Sequence, residues 1–152
     1  MSLNVEIVEV QTQPAAVIKI KTSKETIGED MVKAYEALQA HIGQIDTEFA
    51  GPPFAIYYDV CTPTWSVGCG VPVSNPITDA GDIEACESPS GKAAMVWHIG
   101  PYDKLSETWE TFAAWFKEQG HDMSNLCWEN YVTDPQAEPD TSKWKTQLFW
   151  AV

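Results

Sequence analysis

A carboxylate and a phenol stand two residues apart in "CWENYVTDP", residues 127–135, where Glu129 precedes Tyr131. The stretch reads as a strand that ends in a turn at Asp-Pro. Side chains two positions apart on a strand share a face, about 7 Å from one another. One ligand can therefore meet both groups. A carboxylate among aromatic walls meets a cation or accepts a proton. Burial would raise the carboxyl pKa and suit Glu129 to acid or base work near neutral pH. Facing solvent, the same residue would be an ordinary surface acid, so the face it takes decides its meaning.

Other chemistry is sparse. The four cysteines, at 61, 69, 86 and 127, form no CxxC pair, and the three histidines, at 41, 98 and 121, are far apart. That spacing gives no zinc site, and no cofactor or metal is implied. Reduced thiols in a cytoplasmic protein are the expectation, and no activating base lies beside any of them. "VGCGVPV" is not GxGxxG and no helix follows it, which excludes a nucleotide-cradling loop. A formal net charge of −13 repels phosphate backbones, so direct nucleic-acid binding is not expected. No apolar run reaches the roughly 20 residues of a membrane span, and "MSLNVEIVEV" lacks the pattern of a signal peptide. The 152 residues, 44% of them apolar, suit one soluble domain.

The elements that must position Glu129 and Tyr131 come in two copies. A shift of 78 residues lays "VEIVEV" (5–10) on "IEACES" (83–88) and "AAVIKI" (15–20) on "AAMVWH" (93–98). The same shift lays Ile27, Met31, Ala34 and Leu38 on Leu105, Trp109, Phe112 and Phe116. A shift of 74 lays "FAIYYD" (54–59) on "WENYVT" (128–133). β-Branched runs predict strands at 4–10, 14–21, 54–60 and 65–73, then at 82–88, 92–99, 127–132 and 146–151. Helical spacing predicts helices at 26–42 and 103–119, the first with a Thr26–Glu29 capping box and stops at Gly43 and Gly120. The fold expected is α+β, a single domain over 1–152 built from ββαββ twice (4–75 and 82–152), with pseudo-twofold symmetry. Two helices would pack on an antiparallel sheet and leave a central ligand cleft.

Alternation along the strands then assigns faces. Placing the large apolar Trp128, Phe54 and Ile56 beneath the helices sends Glu129, Tyr131 and Tyr57 to the uncovered face. In the twin strand Ile18 and Ile20 go beneath the helix and Lys19 opposite, so by the 78 shift Trp97 and Met95 join the uncovered face; Trp65 lies on a strand beside the cleft, its face left open by the pattern. His98, alternating onto the helix side, reads as a core or rim histidine. The expected ligand-binding set is Glu129, Tyr131, Tyr57, Trp97, Trp65 and Met95, with Glu129 and Tyr131 catalytic if the protein is an enzyme. The twin of Glu129 is Ala55, and a single acid argues against a glycosidase-like carboxylate pair.

The run "HIGPYDKLSETWETFAAWFKEQG", followed by "WENYVTDP" and "KWKTQLFWAV", resembles the GyrI-like small-molecule-binding family, and "GPPFAIYYDV" with "WSVGCGVPV" resembles its other signature. That family shares its fold with the effector-binding domains of AraC-type and multidrug-sensing transcription regulators. The resemblance implies that Glu129 is the pocket glutamate meeting bulky aromatic, cationic or polar ligands, with Tyr131 beside it. Some stand-alone members are similar to hydrolases that open cyclopropanoid natural products. The founding members instead modulate DNA gyrase by protein contact, so a protein partner is a further expectation, as is a monomer or a dimer. No helix-turn-helix pattern precedes Asn4, and Ala151 stands at the family's terminal proline position.

Overall fold

The computed structural model describes residues 4–59, 64–134 and 137–152. Val60 and Cys61, the former at the end of an expected strand, lie outside the described residues. Within the described residues the chain is α+β, with eight strands and two α-helices. The order is β1 (Glu6–Val10), β2 (Pro14–Thr22), α1 (Ile27–Ile42), β3 (Phe54–Asp59), β4 (Trp65–Pro72), β5 (Ile83–Glu87), β6 (Gly91–Ile99), α2 (Leu105–Glu118), β7 (Cys127–Tyr131) and β8 (Lys145–Ala151). Each expected strand and helix forms, with ends moved by one or two residues. Among the described residues no helix is long and apolar enough to cross a membrane.

The chain divides into two compact units, Gln11–Ser90 around α1, and Met1–Val10 with Gly91–Val152 around α2. In the α2 unit the strands run β1-β6-β8-β7, each pair antiparallel. In the α1 unit they run β3-β4-β2-β5, also antiparallel. β1 thus pairs in the unit of the second sequence copy, and β5 in that of the first. The two segments occupy equivalent places in the repeat, so their side-chain patterns do not distinguish the two partners.

Phe112 and Phe116, fully buried on α2, pack on Ala94, Val96, Leu148 and Trp150 of the sheet. Leu105 and Trp109 join them at the edge of this core, as the helical stripe predicts. On α1 the buried positions are Ala34, Leu38 and Ile42.

The helix ends differ in part from expectation. Thr26 is the N-cap of α1, but its side chain makes no cap hydrogen bond, so the Thr26–Glu29 capping box does not form. Neighbouring hydroxyls compete for it: Thr26 Oγ1 lies 2.9 Å from Ser23 Oγ and 3.3 Å from Thr22 Oγ1. Gly120 ends α2 with φ +81, a left-handed turn that favours glycine. Gly43 stops α1 with φ −67 instead, so its missing side chain is not required by backbone conformation.

Candidate functional site

Strand register places Glu129 beneath α2. Across β7, β8 and β6 the register runs Glu129, Leu148, Val96, and the next row runs Tyr131, Thr146, His98. Residues in register share a face, and Leu148 and Val96 belong to the core under α2. The expectation that Glu129 and Tyr131 face away from the helix is therefore corrected. Trp128 takes the other face, where its ring stacks on Phe149 at 5.1 Å. Trp128 is only 2% exposed there, so both faces of β7 are buried and size alone does not select the helix side.

The same correction holds in the α1 unit. Tyr57 pairs with Val67, and Ala55 with Cys69, which pairs in turn with Ile18. Ile18 and Ile20, in register with Cys69 and Val67, line a depression together with Ala34 and Ala37 of α1, so this face is the helix side. Tyr57 thus lies on the α1 side, whereas Phe54 and Ile56 lie opposite. Trp65 pairs with Thr22, whose hydroxyl bonds Asp30 of α1 at 2.7 Å, and it shares the α1 side. Of the six expected residues, Glu129 and Tyr131 come together. Tyr57 and Trp65 belong to the other unit, and Met95 and Trp97 take the face away from α2, with Trp97 41% exposed.

Four elements build the surroundings of Glu129. From α2, Trp109 Nε1–H donates to Glu129 Oε1. From β7 itself, the Tyr131 hydroxyl donates to Oε2 at 2.7 Å. From the Gly-Pro-Tyr turn comes Tyr102, whose ring meets that of Tyr131 edge-on at 5.5 Å. Just before β8 comes Trp144, 4.8 Å from Tyr102. Gly100 enters this turn with φ +130, and its N–H donates to the Trp144 carbonyl at 2.8 Å. The turn and the Trp144 segment are thus tied by backbone before their rings meet. Trp144 is held again by its indole N–H, which donates to the Glu138 carbonyl at 2.7 Å. In the sequence Trp109 reads only as a core residue, and no pattern singles out Tyr102 or Trp144. The available signal was the indole of Trp109, whose N–H needs an acceptor once half-buried.

His98 is a buried histidine with both ring nitrogens engaged. Nε2 lies 3.0 Å from the Pro101 carbonyl and Nδ1 2.7 Å from Thr108 Oγ1. A carbonyl only accepts, so Nε2 carries a proton. In the neutral ring Nδ1 then accepts from Thr108, which fixes the tautomer and fits a structural role.

Glu129 is 1% exposed. Each of its carboxylate oxygens accepts one of the two side-chain hydrogen bonds. Burial pushes the Tyr102 phenol above its usual value, and the charges of Glu129 and Asp134 push it further. The phenol therefore stays protonated as a hydrogen-bond donor, beside negative charge. Burial also raises the Cys127 thiol to about 12, with a smaller contribution from Glu129, and it raises Cys69 to about 12.

These thiols carry an expected result. At pH 8 only about one in 10⁴ of either is thiolate, so native Cys69 and Cys127 should resist iodoacetamide and label only on unfolding. Peptide mass mapping of labelled native protein checks this. Their folded pKa values exceed the unfolded value of 9.0. The stabilisation they give is therefore complete below pH 9 and is lost as pH rises towards 12.

The chain belongs to the GyrI-like small-molecule-binding family: the family's model, the GyrI-like small molecule binding domain, matches residues 3–152. It is thereby a small-molecule-binding domain. The C-terminal domain of EcmrR is 19% identical, with a TM-score of 0.81 over 99% of this chain and 98% of that one. EcmrR in its complex with DNA is 17% identical, with a TM-score of 0.85 over 97% of this chain, which spans 56% of the EcmrR chain. SAV2435, solved bound to tetraphenylphosphonium, is 11% identical, with a TM-score of 0.73 over 97% of this chain and 93% of that one. At these identities the likeness is one of fold. No curated protein matches the chain.

Proposed function

We propose that the α2 unit binds bulky aromatic cations at Glu129. The observation that carries this reading is a carboxylate 1% exposed, held by Trp109 and Tyr131 and adjoined by Tyr102. A carboxylate away from water attracts a positive charge more strongly than one at the surface, because less solvent screens the pair, and an organic cation carries little hydration to lose on reaching it. Desolvated aromatic faces add about 2 kcal/mol of attraction for such a charge. Glu129 and Asp134 both act on Tyr102, so the local potential favours a cation.

The repeat supports the same reading. Under the two shifts Glu129 falls on Ala55 and Trp109 falls on Met31, so the other unit lacks both the acid and its donor. Because Glu129 is closed off, entry requires side chains to move, and the half-buried Tyr102 and Trp144, carried on short connecting segments, are placed to do so.

Tetraphenylphosphonium, the ligand named for SAV2435, suits as a probe because it sets four phenyl rings round one positive charge. Calorimetry should give binding at least about tenfold tighter than for neutral triphenylphosphine oxide. Equal affinity for the two would contradict the role of charge. The 2.7 Å contact between Tyr131 and Glu129 favours a second reading, hydrolysis of an electrophilic ligand. Glu129 would take a proton from water as its oxygen bonds the electrophilic carbon, the bond from that carbon to the leaving oxygen would break with a proton from Tyr131, and the Glu129 proton would then pass to the tyrosinate across their contact. Mass spectrometry of incubated ligand separates turnover from capture.

A further inference from the structure

Thr146 lies one row from Glu129 on the face beneath α2, in register with Tyr131 on one side and His98 on the other. It is fully buried, and its Oγ1 has no hydrogen-bond partner among the described residues. Buried hydroxyls are nearly always bonded, so an unmet one beside a ligand site needs a reason. His98 does not meet it, because Pro101 and Thr108 take both ring nitrogens. Apolar packing is not the reason either, since valine has the same shape and no desolvation cost.

We propose that Thr146 Oγ1 is the polar subsite of the Glu129 site. It hydrogen-bonds a hydroxyl, ether or carbonyl oxygen on the ligand, next to the point where the cationic centre meets the carboxylate. Diagonal neighbours on paired strands lie about 7–8 Å apart, which is on the scale of one phenylene ring. The ligand class is therefore narrowed to aromatic cations that carry an oxygen about one ring away from the charge. This inference rests on the reading of Glu129 as the cation site, and it adds a specificity-determining residue that the charge alone does not supply.

The test is a matched pair of probes, tetraphenylphosphonium and (4-hydroxyphenyl)triphenylphosphonium, titrated into wild type, Thr146→Val, Thr146→Ser and Glu129→Gln. Wild type should prefer the hydroxylated cation by about 5- to 10-fold, the worth of one buried hydrogen bond. Thr146→Val should erase the preference and leave tetraphenylphosphonium affinity within about twofold, whereas Thr146→Ser should keep it. Thr146→Val should also raise the Tm, because it removes an unmet buried hydroxyl. A preference that survives Thr146→Val, or a Tm that falls in that variant while Thr146→Ser is unchanged, overturns the subsite. If both probes bind and only Glu129→Gln weakens them, the cation site stands and the Thr146 inference fails alone. If neither probe binds wild type, both fail.

Discussion

Glu129→Gln is expected to weaken tetraphenylphosphonium binding about 30- to 150-fold. Two unit charges some 5 Å apart in surroundings of intermediate dielectric attract by roughly 2–3 kcal/mol, and the amide removes that attraction. The substitution keeps the volume, so the aromatic contacts persist. One oxygen acceptor remains for Trp109 or Tyr131, and the new NH₂ group opposes the other donor. The loss should fall on charged ligands, with triphenylphosphine oxide changed little. It should appear in calorimetry and in quenching of the half-buried Trp109. An equal loss for the neutral ligand would point to collapse of the site rather than removal of its charge, and circular dichroism of the variant decides between them.

The second large effect is on stability. Phe112→Ala should cost about 3–5 kcal/mol, the usual loss for a fully buried phenylalanine. Phe112 is wholly buried and lies 5.7 Å from both Trp109 and Trp150 and 6.3 Å from Phe116. Those rings are large and mutually braced, so they cannot easily close the cavity. Of a total stability of about 5–15 kcal/mol, such a loss is a large share. Thermal unfolding should fall by about 10 °C or more. A fall of under about 2 °C would mean that the α2 core is not the principal support of its sheet. Because Trp109 stacks on Phe112, the variant should also loosen the indole that holds Glu129 and weaken cation binding.

Much of this architecture was legible in the sequence. The stripe Leu105, Trp109, Phe112, Phe116 has one strong period, and the structure buries that face. His98 reads correctly as a helix-side core residue because it alternates with Val96. The faces of β7 were not legible in the same way. Trp128 is larger than its neighbours, and the rule that the largest apolar side chain goes beneath the helix would place it there. It stacks on Phe149 on the opposite, equally buried face.

The signal that resolves this is strand order. With β8 between β6 and β7, the helix-side Val96 carries its face through Leu148 to Glu129. Strand order depends on pairing between distant segments, which local alternation does not encode. The exchange of β1 and β5 was hidden for the same reason. Tyr102 and Trp144 were missed because they sit on short segments with no period, and only the tie between Gly100 and the Trp144 backbone brings them together.

The most direct test is the crystal structure of this protein with tetraphenylphosphonium. The phosphorus should lie within about 6 Å of the Glu129 carboxylate and of an aromatic ring centre, with Tyr102 or Trp144 displaced from its present contact. A cation seated elsewhere, such as the surface depression between β2 and α1 lined by Ile18, Ile20, Lys33 and Ala34, with Glu129 still closed beneath Trp109, would contradict it.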